Sequence, residues 1–242
     1  MASLETSYKT DVGRKRAENQ DSLLVSRVGN AHLLAVADGL GGHAAGAVAS
    51  RVATIEMEQF LKANLTEDNP VAALKQAIGK ANKEIHLLSG ENPAYAGMGT
   101  TLVAAIVLSD RAWVANVGDS RAYLVGDAIE QVTKDHSLVQ ELVDGNVITR
   151  DEAFGHPQKN IVTRTLGLDE EPSPDLYEDV ELSGRVLLLC SDGLTDSLRD
   201  EEIRSLVVAS ASLDEACTRL VDLANERGGA DNISVVMARQ PE

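Results

Sequence analysis

Between residues 101 and 132 four short, largely aliphatic runs succeed one another, at 101–108, 111–117, 121–125 and 128–132. Only Ser109-Asp110, Gly118-Asp119-Ser120 and Gly126-Asp127 separate them. Connections this short join antiparallel neighbours, because a parallel crossover consumes a dozen residues or more. Further strands are expected at 22–27, 31–37, 186–191 and 232–238, and helices at 44–65, 71–88, 200–210 and 213–227. In the second helix Ala73, Ala77, Ala81, Ile85 and Leu88 recur at helical spacing and so form one apolar face. Strands grouped with strands and helices with helices predict an α+β layered architecture rather than strict alternation. No repeat, low-complexity linker or abrupt shift in composition interrupts the chain, so residues 1–242 are expected to form a single domain.

Residues 134–168 stand apart from this pattern. They are polar, contain His136, His156 and Pro157, and carry one short helix at 137–144. Such an excursion is either a flap beside a site or an ordinary surface insertion.

Acids mark the ends of the apolar runs. Asp38 follows Leu33-Leu34-Ala35-Val36-Ala37, Asp119 follows the run ending in Val117-Gly118, Asp192 follows Leu187-Leu188-Leu189-Cys190-Ser191, and Asp231 precedes Ile233-Ser234-Val235-Val236. Asp21 stands in the same way before Leu23-Leu24-Val25. Any one of them reads equally as a turn-forming Asp at a hairpin end. Their recurrence points instead to a shared rim, where carboxylates repel one another and hold protons unless cations neutralise them. An all-oxygen set suits Mg²⁺ or Mn²⁺ better than zinc or copper. In the turn Asp38-Gly39-Leu40-Gly41-Gly42-His43, Gly39 lets the backbone approach a ligand closely, which would allow its carbonyl to join Asp38 on a cation. Upstream, Arg16 is either part of a solvated basic cluster with Arg14 and Lys15 or a clamp for an anionic group beside Asp21.

Charge narrows the field of partners. With 22 basic against 38 acidic residues the chain carries a formal charge of −16, which disfavours nucleic acid and anionic lipid. Cys190 and Cys217 are the only cysteines and lack metal-site spacing, as expected in a reducing compartment. No apolar run reaches the length of a membrane span, and the first residues lack a signal-peptide pattern. A cytoplasmic monomer is the expectation.

Seven motifs together resemble the metal-dependent protein phosphatases, the PPM or PP2C family, in its compact bacterial form. They are Arg16-x-x-Asn19-Gln20-Asp21, Asp38-Gly39-x-Gly41-Gly42-His43, Gly97-Met98-Gly99-Thr100-Thr101, Val117-Gly118-Asp119-Ser120-Arg121, Asp135-His136-Ser137, Cys190-Ser191-Asp192-Gly193-Leu194 and Gly229-Ala230-Asp231-Asn232-Ile233-Ser234. They run in order over nearly the whole chain. The resemblance implies a four-layer αββα sandwich, with two antiparallel sheets packed face to face and helices outside each. It implies a Ser/Thr phosphatase acting on phosphoproteins, opposed to a Ser/Thr kinase, that hydrolyses the ester directly with a hydroxide held between two metal ions. Carried over by position, Asp38 would bridge both ions, Gly39 would ligate one through its carbonyl, and Asp192 and Asp231 would hold the other. Asp119 with Asp192 would take a third ion, Asp21 would act through water, Arg16 would bind the phosphoryl group and His43 would be the general acid. Gln20 stands where many members have Glu, and His43 keeps the bacterial spacing from Asp38. The rivals are a phosphoprotein-binding module without turnover and a small-molecule phosphomonoesterase. Loss of a metal acid would mark the first, and relative rates on phosphopeptides and small phosphate esters would identify the second.

Overall fold

The computed structural model describes residues 4–41 and 45–240. In chain order, β1 (Glu5–Asp11), β2 (Asp21–Val28) and β3 (Ala31–Leu40) precede the helices α1 (Ala45–Asn64) and α2 (Pro70–Glu91). Strands β4 (Gly99–Thr100), β5 (Leu102–Leu108), β6 (Arg111–Val117), β7 (Arg121–Val125) and β8 (Ile129–Gln131) follow. Next come α3 (Leu138–Asp144), α4 (Arg150–Phe154), β9 (Asp175–Glu181) and β10 (Val186–Cys190). The short α5 (Asp192–Thr195), then α6 (Asp200–Val208), α7 (Leu213–Glu226) and β11 (Ile233–Arg239) complete the chain.

All strand pairs are antiparallel. One sheet has the order β1-β11-β10-β7-β8, and the other runs β2-β3-β5-β6-β9 with β4 paired to β3. Period-two alternation sorts the side chains of each strand between two cores. From β3, Leu33, Ala35 and Ala37 face α1 and α2, whereas Leu34 and Val36 face the opposite sheet. In β10, Leu188 and Cys190 pack with α6 and α7, whereas Leu187 and Leu189 meet the first sheet's partner across the middle layer. Because both faces of these strands are covered, their sequences read as unbroken apolar runs although the sheets are antiparallel. Each fully buried Leu or Val stabilises the fold by roughly 1.5 to 3 kcal/mol relative to exposure. Layer order is therefore helix, sheet, sheet, helix, as the family resemblance implies.

The expected elements are present with shifted ends, and three strands escaped the periodicity reading: β1, β9 and the two-residue β4. Strands β1 and β9 lie at sheet edges and are built from ETSYKTD and DLYEDVE. Charged, partly solvated edge residues blunt an exposed ladder and carry little hydrophobic signal. Strand β3 also runs three residues past its expected end, through Leu40, so Asp38 and Gly39 lie inside the sheet rather than beyond it. Around Arg16 the chain turns at 13–15 and bends at 17–18.

The excursion at 134–168 contains α3 and α4 and is tied back at both ends. His136 and Gly118 exchange two bonds: the His136 N–H donates to the Gly118 carbonyl at 2.9 Å, and Gly118 N–H donates to His136 Nδ1 at 3.1 Å. Bridges Ser137–Val162 and Thr100–Leu166 close the return path.

Candidate metal centre

The site is assembled where strand ends of both sheets meet. Asp21 and Asp38 are cross-strand partners in the β2–β3 ladder, so backbone pairing alone sets these two acids side by side. Asp192 opens α5 directly after β10, and Asp231 lies just before β11, the strand paired with β10. Asp119 occupies the β6–β7 turn after Gly118, whose φ of +108° belongs to glycine.

Tight backbone packing fixes this arrangement. A Cβ on Gly39 would stand 2.1 Å from the Gly46 carbonyl oxygen, so only glycine lets β3 pass the start of α1. Above Asp38, the Thr101 hydroxyl accepts its N–H at 3.1 Å and the Thr100 hydroxyl donates to its carbonyl at 2.8 Å. Asn232 clips the N-terminal loop to the 229–232 loop. Its Oδ1 accepts the Gln20 N–H, and its Nδ2 donates to the carbonyls of Val12 and Glu18.

Electrostatics single out the same acids. Burial, then the charges of Asp21, Asp192, Asp119 and Asp231, hold Asp38 well above the ordinary carboxylate range. Asp192 is likewise raised well above it, by burial first and then by Asp119, Asp196, Asp231 and Asp21. Burial lifts Asp21 to about 6 against hydrogen bonds from Ser234 and Ser191, with Asp231 adding to the rise. Asp119 is pushed to about 7 by burial and then by Asp135. Repulsion at Asp38 from acids at four other points of the chain places the five beside one basin.

Cations suit this basin. Asp21 Oδ1 and Asp192 Oδ1 are covered from solvent and have no hydrogen-bond partner, a costly arrangement that a metal ion would relieve. The donors are carboxylate oxygens, the hard ligands that Mg²⁺ and Mn²⁺ prefer. In the conformation seen, no group of three acidic, imidazole or thiol side chains among the described residues is set to hold one ion. Current partners explain part of this: Ser191 Oγ donates to Asp21 Oδ2 at 2.8 Å, and Arg16 Nη2 donates to Asp231 Oδ2 at 2.6 Å. Arg16 is thus paired with a carboxylate of the centre while its side chain stays half exposed. His43 lies outside the described residues.

Two residues near the basin carried no role in the sequence reading. Asp196, one helical turn after Asp192, adds to its repulsion and pairs with Lys159 of the excursion at 2.9 Å. Its i, i+4 spacing from Asp192 was the available signal. The Asn232 side chain acts through long-range hydrogen bonds, which no local pattern reveals. A cavity of about 340 Å³ opens beside Asp119 and Asp192, between the excursion helices and α6, with Phe154, Val139 and Leu198 among its walls.

A model of the family described as protein phosphatase 2C matches residues 12–234. The chain belongs to the protein phosphatase 2C family. Protein phosphatase PhpP of Streptococcus pneumoniae is 40% identical over 244 residues, covering 99% of this chain and 98% of the relative. The crystal structure of serine/threonine phosphatase Stp1 from Staphylococcus aureus superposes with a TM-score of 0.93 at 40% identity, covering 99% of this chain and 96% of that one. The catalytic domain of the serine/threonine protein phosphatase PstP, solved with two manganese ions, matches with a TM-score of 0.84 at 37% identity, covering 98% of this chain and 97% of that one. The phosphatase 2C chain thus has the expected family and the expected sandwich. Among its described residues no helix is long and apolar enough to cross a membrane.

Both cysteines pack into the core beneath α6 and α7, although Cys190 precedes Asp192 by only two residues. Both are buried and unpaired, and burial pushes the Cys190 thiol up to about 12 and that of Cys217 up to about 11. Neither supplies a thiolate near neutral pH. A Cys190→Ala/Cys217→Ala double variant is expected to keep kcat within about threefold of wild type. Steady-state rates on the folded variant check this, and a loss of turnover would implicate a thiol.

Proposed function

We propose that this chain is a metal-dependent protein serine/threonine phosphatase that hydrolyses phosphoserine and phosphothreonine in proteins, opposing a Ser/Thr kinase. The observation that carries it is the basin of Asp21, Asp38, Asp119, Asp192 and Asp231, with its two orphaned carboxylate oxygens. Asp38, the Gly39 carbonyl, Asp192 and Asp231 are the groups that would hold two core ions, Mg²⁺ or Mn²⁺. Asp119 and Asp192 would share a third, and Asp21 would act through water. Bound there, the ions supply Lewis acidity and an acidified water as nucleophile.

The protein's own groups do the rest. Arg16 would take the nonbridging phosphoryl oxygens through its planar fork and offset the charge that grows on them. His43, with its near-neutral intrinsic pKa, would return a proton to the departing Ser or Thr oxygen. The cavity between α3, α4 and α6 would receive residues flanking the phosphorylated side chain. Residues 1–242 act as one catalytic domain, with 134–168 as the flap beside it. The protein works as a monomer in the cytoplasm.

The test is hydrolysis of a phosphothreonine peptide with Mn²⁺ and with excess chelator. Phosphate release that depends on the metal is expected. Turnover undiminished by chelator would refute the reading, and faster turnover of sugar or nucleotide phosphates would move it to small esters.

A further inference from the structure

One contact in the centre joins the two halves of the proposed chemistry. Arg16, the phosphoryl-binding group of that reading, here holds Asp231, one of its metal ligands, through Nη2 and Oδ2 at 2.6 Å. The other oxygen of Asp231 already accepts the N–H of Asn232 at 2.8 Å. Both carboxylate oxygens therefore have partners. A divalent ion brought onto Oδ2 would stand beside a guanidinium, where cation and dication repel.

Only the arginine side chain is at liberty to yield. The backbone around it is pinned: Arg14 and Lys15 donate their N–H groups to the Gly229 carbonyl at 2.7 and 3.2 Å. A Cβ on Gly13 would lie 2.2 Å from the Asp231 carbonyl oxygen, so the two loops touch main chain to main chain. The side chain of Arg16, by contrast, is 49% exposed against 23% for Asp231. Rotation about its own χ angles releases Asp231 without moving either loop.

Resting on the assignment of Asp231 as a ligand, we infer that Arg16 and a metal ion are alternative partners of Asp231, so that metal loading displaces the arginine and delivers it to the phosphoryl group. Arg16 is then a positioning residue for the centre before it is a substrate contact. An enzyme short of metal keeps its phosphate clamp folded away, and loading couples the two events. Because binding linkage is reciprocal, an anion that captures Arg16 also favours the metal.

The experiment measures Mn²⁺ affinity directly, by electron paramagnetic resonance titration of free Mn²⁺, for wild type, Arg16→Gln, Arg16→Lys and Lys15→Gln. Removing the competitor is expected to tighten Mn²⁺ binding in Arg16→Gln by about fivefold, whereas Lys15→Gln, which deletes a neighbouring exposed charge without a contact to Asp231, changes it less than about twofold. Arg16→Lys restores a cation to Asp231 and returns affinity toward wild type, yet it lacks the two-pronged fork, so KM for a phosphothreonine peptide stays raised. Equal affinity in wild type and Arg16→Gln, or an equal gain in Lys15→Gln, would overturn the exchange while leaving the phosphatase reading intact. Absence of Mn²⁺ binding in every variant would remove both.

Discussion

Replacing Asp192 by Asn lowers kcat/KM on a phosphothreonine peptide with Mn²⁺ by about a thousandfold, ~4 kcal/mol of transition-state stabilisation. The same substitution raises the melting temperature of the chelator-treated protein near pH 8 by a few degrees, on the order of 1 kcal/mol for a chain of this length. Both effects follow from one feature. Asp192 is held well above the usual carboxylate range by burial, Asp119, Asp196, Asp231 and Asp21, and its Oδ1 has no partner. Without metal the charge is a burden, and in the proposed reading a bound metal turns it into a ligand. The pH dependence has a definite sign. Carboxyls raised in the folded state bind protons there that the unfolded chain releases, so their contribution is complete below the unfolded value near 4 and is lost as pH climbs through the folded values. For Asp21 and Asp119 those values are about 6 and about 7. Metal-free wild type should therefore lose stability between pH 5 and 8, and Asp192→Asn should flatten the slope. Thermal denaturation in chelator across that range checks it, and a flat wild-type profile would mean that the acids do not share a basin.

Asp135→Ala should destabilise the fold by about 3 kcal/mol through a different mechanism. Arg121 holds Asp135 in a two-pronged pair, Nε to Oδ1 at 2.9 Å and Nη2 to Oδ2 at 2.7 Å. Gln131 donates to the same carboxylate, and Tyr123 links Arg121 onward to Asp200. The Asp135 side chain is only 5% exposed and that of Arg121 27%, so truncation strands a half-buried cation. Its partial exposure keeps the cost at the lower end of what a broken buried pair shows. The melting temperature should fall by roughly 6 to 12 °C. Asp135→Asn, which preserves the acceptor, should lose less. A drop smaller than about 2 °C for Asp135→Ala would show that water or other groups satisfy Arg121.

The basin of acids was legible because its members sit at chemically abrupt places. An acid next to a wholly apolar run, such as Asp192 after Leu187-Leu188-Leu189-Cys190, is visible in one dimension. Pairing is not. Nothing local says that Asp21 faces Asp38 across a ladder, or that Asn232 reaches Val12 and Glu18 from the far end of the chain. The central strands announced themselves by composition, whereas β1 and β9 were hidden by the polar residues that protect a sheet edge. Arg16 shows the same limit. Its charge and position suggested an anionic group or solvent, and no local pattern could name the carboxylate 215 positions away that holds it.

The most direct measurement is anomalous diffraction at the manganese edge from crystals grown with Mn²⁺. Ions held among Asp38, the Gly39 carbonyl, Asp192 and Asp231, with Arg16 turned away from Asp231, are the expected result. A basin without anomalous signal, its acids still bonded to Arg16 and Ser191 at saturating Mn²⁺, would contradict it.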